Sequence, residues 1–133
     1  MNIVLIDTNV ASILLNPKQA LCADCILAVA GQHLTIAFMT RAELSLWPAA
    51  NNWGQARRAD LAKHFTKYTT LLPDEETCEF WVRVKDGCKR KGRPIQTADA
   101  WIAATALQWD IPLITSDYGD FAAVDGLEIV PIG

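Results

Sequence analysis

The stretch that decides the fold is IVLIDTN, at residues 3–9. Four successive aliphatic residues, apolar on both faces, are typical of a strand buried in the middle of a sheet. The run ends abruptly on Asp7, and water does not solvate a carboxylate inside such a sheet. We therefore expect the strand to end at the rim of the hydrophobic core, with Asp7 at that rim.

The chain on either side of this strand alternates between strand and helix patterns. Thr40 is predicted to open the third helix, and TADAWIAATALQW reads as a helix that is apolar nearly all round. The order predicts an α/β fold, one domain over residues 1–133, whose central, mostly parallel sheet of four to five strands carries helices on both faces. The predicted strands are 2–6, 34–38, 112–115 and 127–131, and the predicted helices are 8–15, 18–30, 41–50, 54–68, 74–91 and 97–109.

Composition bounds the functional class. A chain of 133 residues that is 51% hydrophobic and 20% charged is typical of one soluble globular domain. No apolar run has the length needed to cross a bilayer, and no signal peptide is recognised, so we expect no membrane and a cytoplasmic location. The net charge of −3 argues against a protein that coats nucleic acid electrostatically, so any RNA contact must be local.

The cysteines do not predict a metal or redox site. Cys22 and Cys25 form a C-x-x-C motif, but Cys78 and Cys88 do not supply a matching second half of a zinc site. The motif lies within a predicted helix, so we expect both of its cysteines to be small packing residues.

Acidic residues follow the predicted strands. In open parallel sheets the functional crevice lies beyond the carboxyl ends of the strands. Asp7 follows the first strand, Glu43 lies one helical turn after the second, and Asp117 follows the strand at 112–115. Asp99 opens the most apolar helix of the chain. The sequence therefore predicts four carboxylates at one end of the sheet.

Each acid also has a purely structural interpretation, which stays open at this point. Glu43 stands three residues after Thr40, the spacing of a capping box. Asp99 is favourable at a helix N-terminus because of the macrodipole. Asp7 fits the cap of the helix that begins near Asn9. The acids at positions 117 and 120 fit a turn beside a glycine.

Electrostatics limits what a cluster of four acids can be. Two carboxylates about 4 Å apart repel by about 4 kcal/mol at an effective dielectric constant near 20. Such acids must share protons, pair with basic side chains or hold a cation, and Arg41 and Arg93 are too few to neutralise them. Mg²⁺ or Mn²⁺ resolves the repulsion most simply, and such an ion activates water and stabilises charge on a phosphodiester.

Five segments carry a family resemblance: IDTNV, TRAEL, GRPIQTADAWIAATAL, LITSDYGDF and GLEIV, in this order along the chain. They resemble the motifs of PIN-domain ribonucleases, and in particular the VapC-type toxins of toxin–antitoxin modules. The resemblance implies a catalytic, metal-binding cluster with polar neighbours. Its members would be the acids Asp7, Glu43, Asp99 and Asp117, supported by Thr8, Asn9 and Thr115.

One position departs from the family pattern. Many relatives carry Asn where this chain has Asp117, with an acid three positions later that corresponds to Asp120. We favour Asp117 as the fourth acid because it lies nearer the strand end. We expect Asp120 to support the metal ligands without contacting the metal itself.

The resemblance further implies an endoribonuclease dependent on Mg²⁺ or Mn²⁺, a homodimer, and a cognate VapB-like antitoxin that inserts a segment into the active-site groove. The run RVKDGCKRKGR is a local basic patch that fits RNA contact or, equally, a solvated helix end. Trp47 and Trp53 are candidates for the antitoxin groove or the dimer contact. The alternatives are a PIN-domain RNA-processing nuclease that is not a toxin, and a non-catalytic, metal-stabilised binding module. The candidates for RNA contact are Arg41, Lys89, Arg90, Lys91 and Arg93.

Overall fold

The structure is a computed structural model that describes residues 2–133. Its strands are β1 (Ile3–Ile6), β2 (His33–Ala37), β3 (Thr69–Leu71), β4 (Leu113–Thr115) and β5 (Ile129–Pro131). Its helices are α1 (Thr8–Leu15), α2 (Cys22–Val29), α3 (Phe38–Ala50), α4 (Gln55–Phe65), α5 (Glu75–Arg90), α6 (Thr97–Trp109) and α7 (Tyr118–Phe121).

The strands form one sheet in the order β3-β2-β1-β4-β5, and every neighbouring pair is parallel. β1 lies at the centre, where Leu5 is in register with Thr35 of β2 and Leu113 of β4. The predicted α/β fold is confirmed, with five strands. Because all strands run in the same direction, their carboxyl ends meet at one edge of the sheet.

Helices cover both faces, and alternate residues of β1 supply the two cores. Leu5 packs on the face covered by α5, α6 and α7, with Val84, Ile102 and Phe121 among its buried neighbours. Val4 and Ile6 pack on the other face, which α1, α2, α3 and α4 cover. β1 is therefore buried on both sides, as its unbroken aliphatic run predicted.

Three local predictions were wrong. The second helix begins at Cys22, after turns that contain Pro17, and not at residue 18. The third helix begins at Phe38 and Ala37 is its N-cap residue, so Thr40 does not open it. Residues 69–71 were not predicted as a strand: β3 is a short edge strand that pairs only with β2, and its two threonines give no apolar signal.

The two cysteines of the C-x-x-C motif are packing residues, as the sequence predicted. Cys22 and Cys25 are buried on α2, and Cys25 belongs to one of the two cores. Among residues 2–133, no helix combines the length and the apolar character that a bilayer-spanning helix requires.

Candidate active site

Asp7 follows β1 directly and caps α1. Its Oδ1 accepts a hydrogen bond from the Val10 backbone N–H at 2.8 Å, so its interpretation as a helix cap is correct. Its Oδ2 accepts a second bond from the Thr115 hydroxyl at the end of β4. Asp7 is only 4% exposed. The same carboxylate thus ends β1, begins α1 and joins the adjacent strand.

Asp117 is connected to the same place by two hydrogen bonds. Its backbone N–H donates to Thr115 Oγ1 at 2.9 Å, and its carboxylate accepts a bond from the Asn9 side-chain amide. Asp117 stands at the N-cap position of α7, yet its side chain makes no capping bond there. Its side chain therefore faces α1 and not its own turn.

Glu43 is not part of a capping box, which corrects the interpretation left open by the sequence. Thr40 lies inside α3, three residues before Glu43, and both side chains reach Thr8, the first residue of α1. The Thr8 hydroxyl donates to Glu43 Oε1 at 2.7 Å, and Thr8 Oγ1 lies 3.0 Å from Thr40 Oγ1. α1 therefore holds Glu43 at the end of the sheet that carries Asp7.

Asp99 lies in the first turn of α6 and is half-buried. It lines a cleft of about 510 Å³ together with Asn9 of α1 and Asp120 of α7. Arg93 and Gln96, which precede α6, also line this cleft. Gln96 is a site residue that the sequence did not reveal, because the position before a helix carries no signal specific to a cleft.

Burial changes the protonation of the two innermost acids. It raises the pKa of Asp7 to about 6, and the Asp117 and Asp99 carboxylates add to this effect. It also raises the pKa of Asp99 to about 6, with contributions from the charges of Asp120, Glu43 and Asp117, in that order. The charges of neighbouring acids therefore disfavour ionisation of both Asp7 and Asp99. The five acids of this edge are Asp7, Glu43, Asp99, Asp117 and Asp120.

Basic side chains do not neutralise this cluster. The ion pairs of the described chain, Arg90 with Asp86 and Lys91 with Asp125, involve none of the five acids. Arg41 was predicted as a nearby cation, but its guanidinium bonds Thr70 Oγ1 at 3.3 Å and lies over the Phe65 ring. Arg93 lines the acidic cleft without a carboxylate partner within ion-pair distance.

The donor set fits a hydrated divalent cation. Every candidate ligand at this edge is an oxygen, the atom type that Mg²⁺ and Mn²⁺ prefer. Over residues 2–133, no three acidic, histidine or cysteine side chains already surround one point closely enough to form a cage. An ion that keeps several of its waters suits such an open arrangement.

The predicted RNA-contact residues lie in different places. Arg93 is at the acidic cleft, whereas Lys89 and Arg90 are exposed in the last turn of α5. The Lys91 ammonium is already engaged, since it bonds Asp125 and donates to the Ala123 carbonyl at 2.8 Å. Among the predicted RNA-contact residues, Arg93 alone lines the acidic cleft.

A second cleft, of about 680 Å³, lies between α1, α3 and α4. Trp47 and Trp53 line it, and the Arg57 guanidinium lies 4.0 Å from the centre of the Trp53 ring. Both tryptophans are half-buried, so part of each ring is open to a partner. Trp101 is also half-buried, and it stacks on Trp81 with ring centroids 5.1 Å apart.

Titration distinguishes the effects that Asp117 and Asp120 have on the pKa values of Asp7 and Asp99. We expect Asp120→Asn to lower the pKa of Asp99 and to leave that of Asp7 nearly unchanged, because the Asp120 charge acts on Asp99 and is not among the causes of the Asp7 shift. Asp117→Asn should lower the pKa of both. Carboxyl ¹³C shifts of the metal-free protein, followed against pH, measure these changes. A larger shift of Asp7 than of Asp99 in Asp120→Asn would contradict the geometry.

Comparison with known proteins identifies the family. The family model for the PIN domain matches residues 4–127. The chain is 31% identical to Ribonuclease VapC5 of Mycobacterium tuberculosis, over 74% of this chain and 72% of the relative. It is 28% identical to Ribonuclease VapC1 of Haemophilus influenzae strain R2866, over 95% of each chain.

The solved structures agree. A crystal structure of VapBC-5 from Mycobacterium tuberculosis, a member of the VapBC family of toxin–antitoxin systems, superposes with a TM-score of 0.71 at 30% identity. The superposition covers 98% of this chain and 98% of that one. The parallel sheet and the acidic edge of this chain agree with these matches. The chain belongs to the PIN domain family.

Proposed function

We propose that this protein is a divalent-metal-dependent endoribonuclease, the toxin of a toxin–antitoxin pair. The observation that carries the proposal is the group of five carboxylates at one sheet edge, which no basic side chain of residues 2–133 pairs with. Relatives of similar length are named ribonucleases, which supports phosphodiester hydrolysis as the use of this edge.

Asp7, Glu43, Asp99 and Asp117 would hold Mg²⁺ or Mn²⁺, with Thr8, Asn9, Thr115 and Asp120 supporting them. Such an ion, when bound, lowers the pKa of a coordinated water and offsets the charge that develops on the phosphate. The donor chemistry does not distinguish the two ions, so the proposal includes both.

The four acids would have different roles because they differ in access. Asp7 is 4% exposed and fixed by two hydrogen bonds, which suits a carboxylate that stays in place and positions the cation. Asp99 lines the open cleft, so its carboxylate is accessible to an attacking water. A carboxylate in that position would orient that water or take its proton.

Arg93 would attract the RNA phosphates that the acids repel. We expect Arg93→Ala to weaken RNA binding and to reduce the slope of log affinity against log salt by about one. Lys91→Ala is the matched control, because the Lys91 ammonium is already engaged by Asp125 and the Ala123 carbonyl. Filter binding to an RNA oligonucleotide over a salt series measures both. An equal loss in the two variants would show that charge in general, and not the cleft, binds RNA.

The partner proposals rest on the relatives. Similar proteins occur in VapBC toxin–antitoxin complexes, so we propose a VapB-like antitoxin, a homodimer and a cytoplasmic site of action. The half-open aromatic surfaces of Trp47 and Trp53 support the second cleft as a protein contact, because aromatic residues are enriched at interfaces. A neighbouring short gene that encodes a DNA-binding protein would favour the toxin over an RNA-processing nuclease.

RNA cleavage by the purified protein, freed of any co-purifying partner, tests the proposal. We expect cleavage of a broad RNA panel with Mg²⁺ or Mn²⁺ and none with EDTA. A protein that is folded but inert on the whole panel would favour the alternative, a metal-stabilised binding module.

A further inference from the structure

Three side chains from two helices form a hydrogen-bonded chain beside the acidic edge: Thr40, Thr8 and Glu43. Thr40 is fully buried on α3, with 0% of its side chain and backbone exposed. Its Oγ1 lies 3.0 Å from Thr8 Oγ1, and the Thr8 hydroxyl lies 2.7 Å from Glu43 Oε1. Thr8 directly follows Asp7, so this chain links two of the proposed metal ligands.

The direction of the hydrogen bonds follows from a count of protons. A carboxylate oxygen only accepts, so Thr8 gives its single hydroxyl proton to Glu43. The contact between the two threonines then needs the Thr40 proton, which makes Thr40 the donor and Thr8 the acceptor. The chain therefore runs from Thr40 through Thr8 to Glu43, and successive hydroxyl bonds of this kind polarise and strengthen one another.

Thr40 does not behave as a threonine inside a helix usually does. A hydroxyl in such a position commonly bonds the carbonyl four residues earlier, as Thr105 of α6 does with the Trp101 carbonyl at 2.8 Å. The Thr40 hydroxyl reaches another helix instead, and it does not cap α3, whose N-cap residue is Ala37. Folding α3 alone gives no reason for a hydroxyl at this position.

We propose that Thr40 is a positioning residue for Glu43. By fixing Thr8, it holds Oε1 of Glu43 and leaves the other carboxylate oxygen free to face a divalent cation. A flexible glutamate would otherwise lose conformational freedom when the ion binds, and this cost is smaller when the side chain is already fixed. The role rests on the proposed function, because it presumes that the acidic edge takes a cation.

Substitution of Thr40 by an isosteric residue tests this role. Thr40→Val keeps the shape and removes the hydroxyl, and we expect it to weaken Mn²⁺ affinity about 10- to 100-fold, the usual effect of losing a partner behind a metal ligand. Thr40→Ser restores the hydroxyl and should bind Mn²⁺ within about threefold of wild type. Thr105→Val is the matched control, a buried helical threonine whose hydroxyl bonds only its own helix, and it should leave affinity unchanged. Isothermal titration with Mn²⁺ alone measures all three, with circular dichroism to confirm folding.

A double-mutant cycle separates positioning from general packing. In the Glu43→Gln background, Thr40→Val should cause no further loss of Mn²⁺ affinity, because its effect passes through the carboxylate. Unchanged affinity in folded Thr40→Val, no recovery in Thr40→Ser, or an undiminished loss in the Glu43→Gln background would each overturn the proposal. If wild type binds Mn²⁺ but does not cleave RNA, the proposed nuclease function is refuted, and the titrations alone decide the role of Thr40. If wild type binds no Mn²⁺, both the nuclease function and the role of Thr40 are refuted.

Discussion

We expect Asp7→Asn to lower metal-dependent RNA cleavage by about 10²- to 10³-fold while the protein stays folded, the range seen when one preorganised electrostatic group is removed from an active site. Asn is as good an N-cap residue as Asp, so its Oδ1 keeps the bond from the Val10 N–H. What disappears is the negative charge at the most buried position of the acidic edge, together with the oxygen that accepts the Thr115 hydroxyl bond. The measurement is kcat/KM on one RNA substrate with Mn²⁺ in excess.

Asp24→Asn is the matched control for this loss of charge. Asp24 is an exposed acid in the first turn of α2 that does not line the acidic cleft, and we expect its variant to cleave at the wild-type rate. Wild-type activity in folded Asp7→Asn would mean that Asp7 serves only as the cap of α1. An equal loss in Asp24→Asn would show that overall charge, and not the site, governs the rate.

We expect Asp99→Asn to make the metal-free protein more stable at pH 7, although it removes a residue proposed to be essential. The folded-state pKa of Asp99 is about 6, against 3.8 for an ordinary Asp. The folded protein therefore holds this proton more tightly than the unfolded chain, and stability falls as the pH rises from about 4 to about 6. Removal of the charge should add about 1 kcal/mol to the free energy of unfolding at pH 7, after allowance for solvent screening.

Denaturant unfolding of wild type and Asp99→Asn in EDTA, between pH 4 and pH 8, measures this difference. It should be small at pH 4, where the folded protein holds the proton, and should reach its full size above pH 6. Saturating Mn²⁺ should reverse the order, because the wild type alone gains the binding energy of the ion. If metal-free Asp99→Asn is less stable than wild type at pH 7, the Asp99 charge mainly stabilises α6 through the helix dipole.

Much of the fold could be predicted because local signals agreed with the tertiary structure. The predicted helices 8–15 and 97–109 match α1 and α6 at both ends. α1 begins where the Asp7 cap requires it, and α6 ends where Asp110 adopts a left-handed backbone with φ 52° ahead of Pro112. β1 was recognisable because burial on both faces leaves an unbroken aliphatic run.

The remainder depends on contacts between distant residues. β3 is defined by its pairing with β2, in which Thr35 is in register with Thr69, and not by its own side chains. Thr40 and Glu43 have capping-box spacing, but α3 begins earlier because Ala37 ends β2, and the two residues then meet Thr8 of α1. The choice between Asp117 and Asp120 likewise needs the position of α7 relative to α6, which sequence spacing does not contain.

Titration of Mn²⁺ into the purified protein at pH 7.5 tests the central claim, that the acids at the sheet edge hold a divalent cation. We expect saturable binding by wild type and its loss in both Asp7→Asn and Asp99→Asn, with Asp24→Asn binding as wild type does. If the wild type shows no binding, or the Asp7 and Asp99 variants bind Mn²⁺ as tightly as it does, the acidic edge is not a metal site.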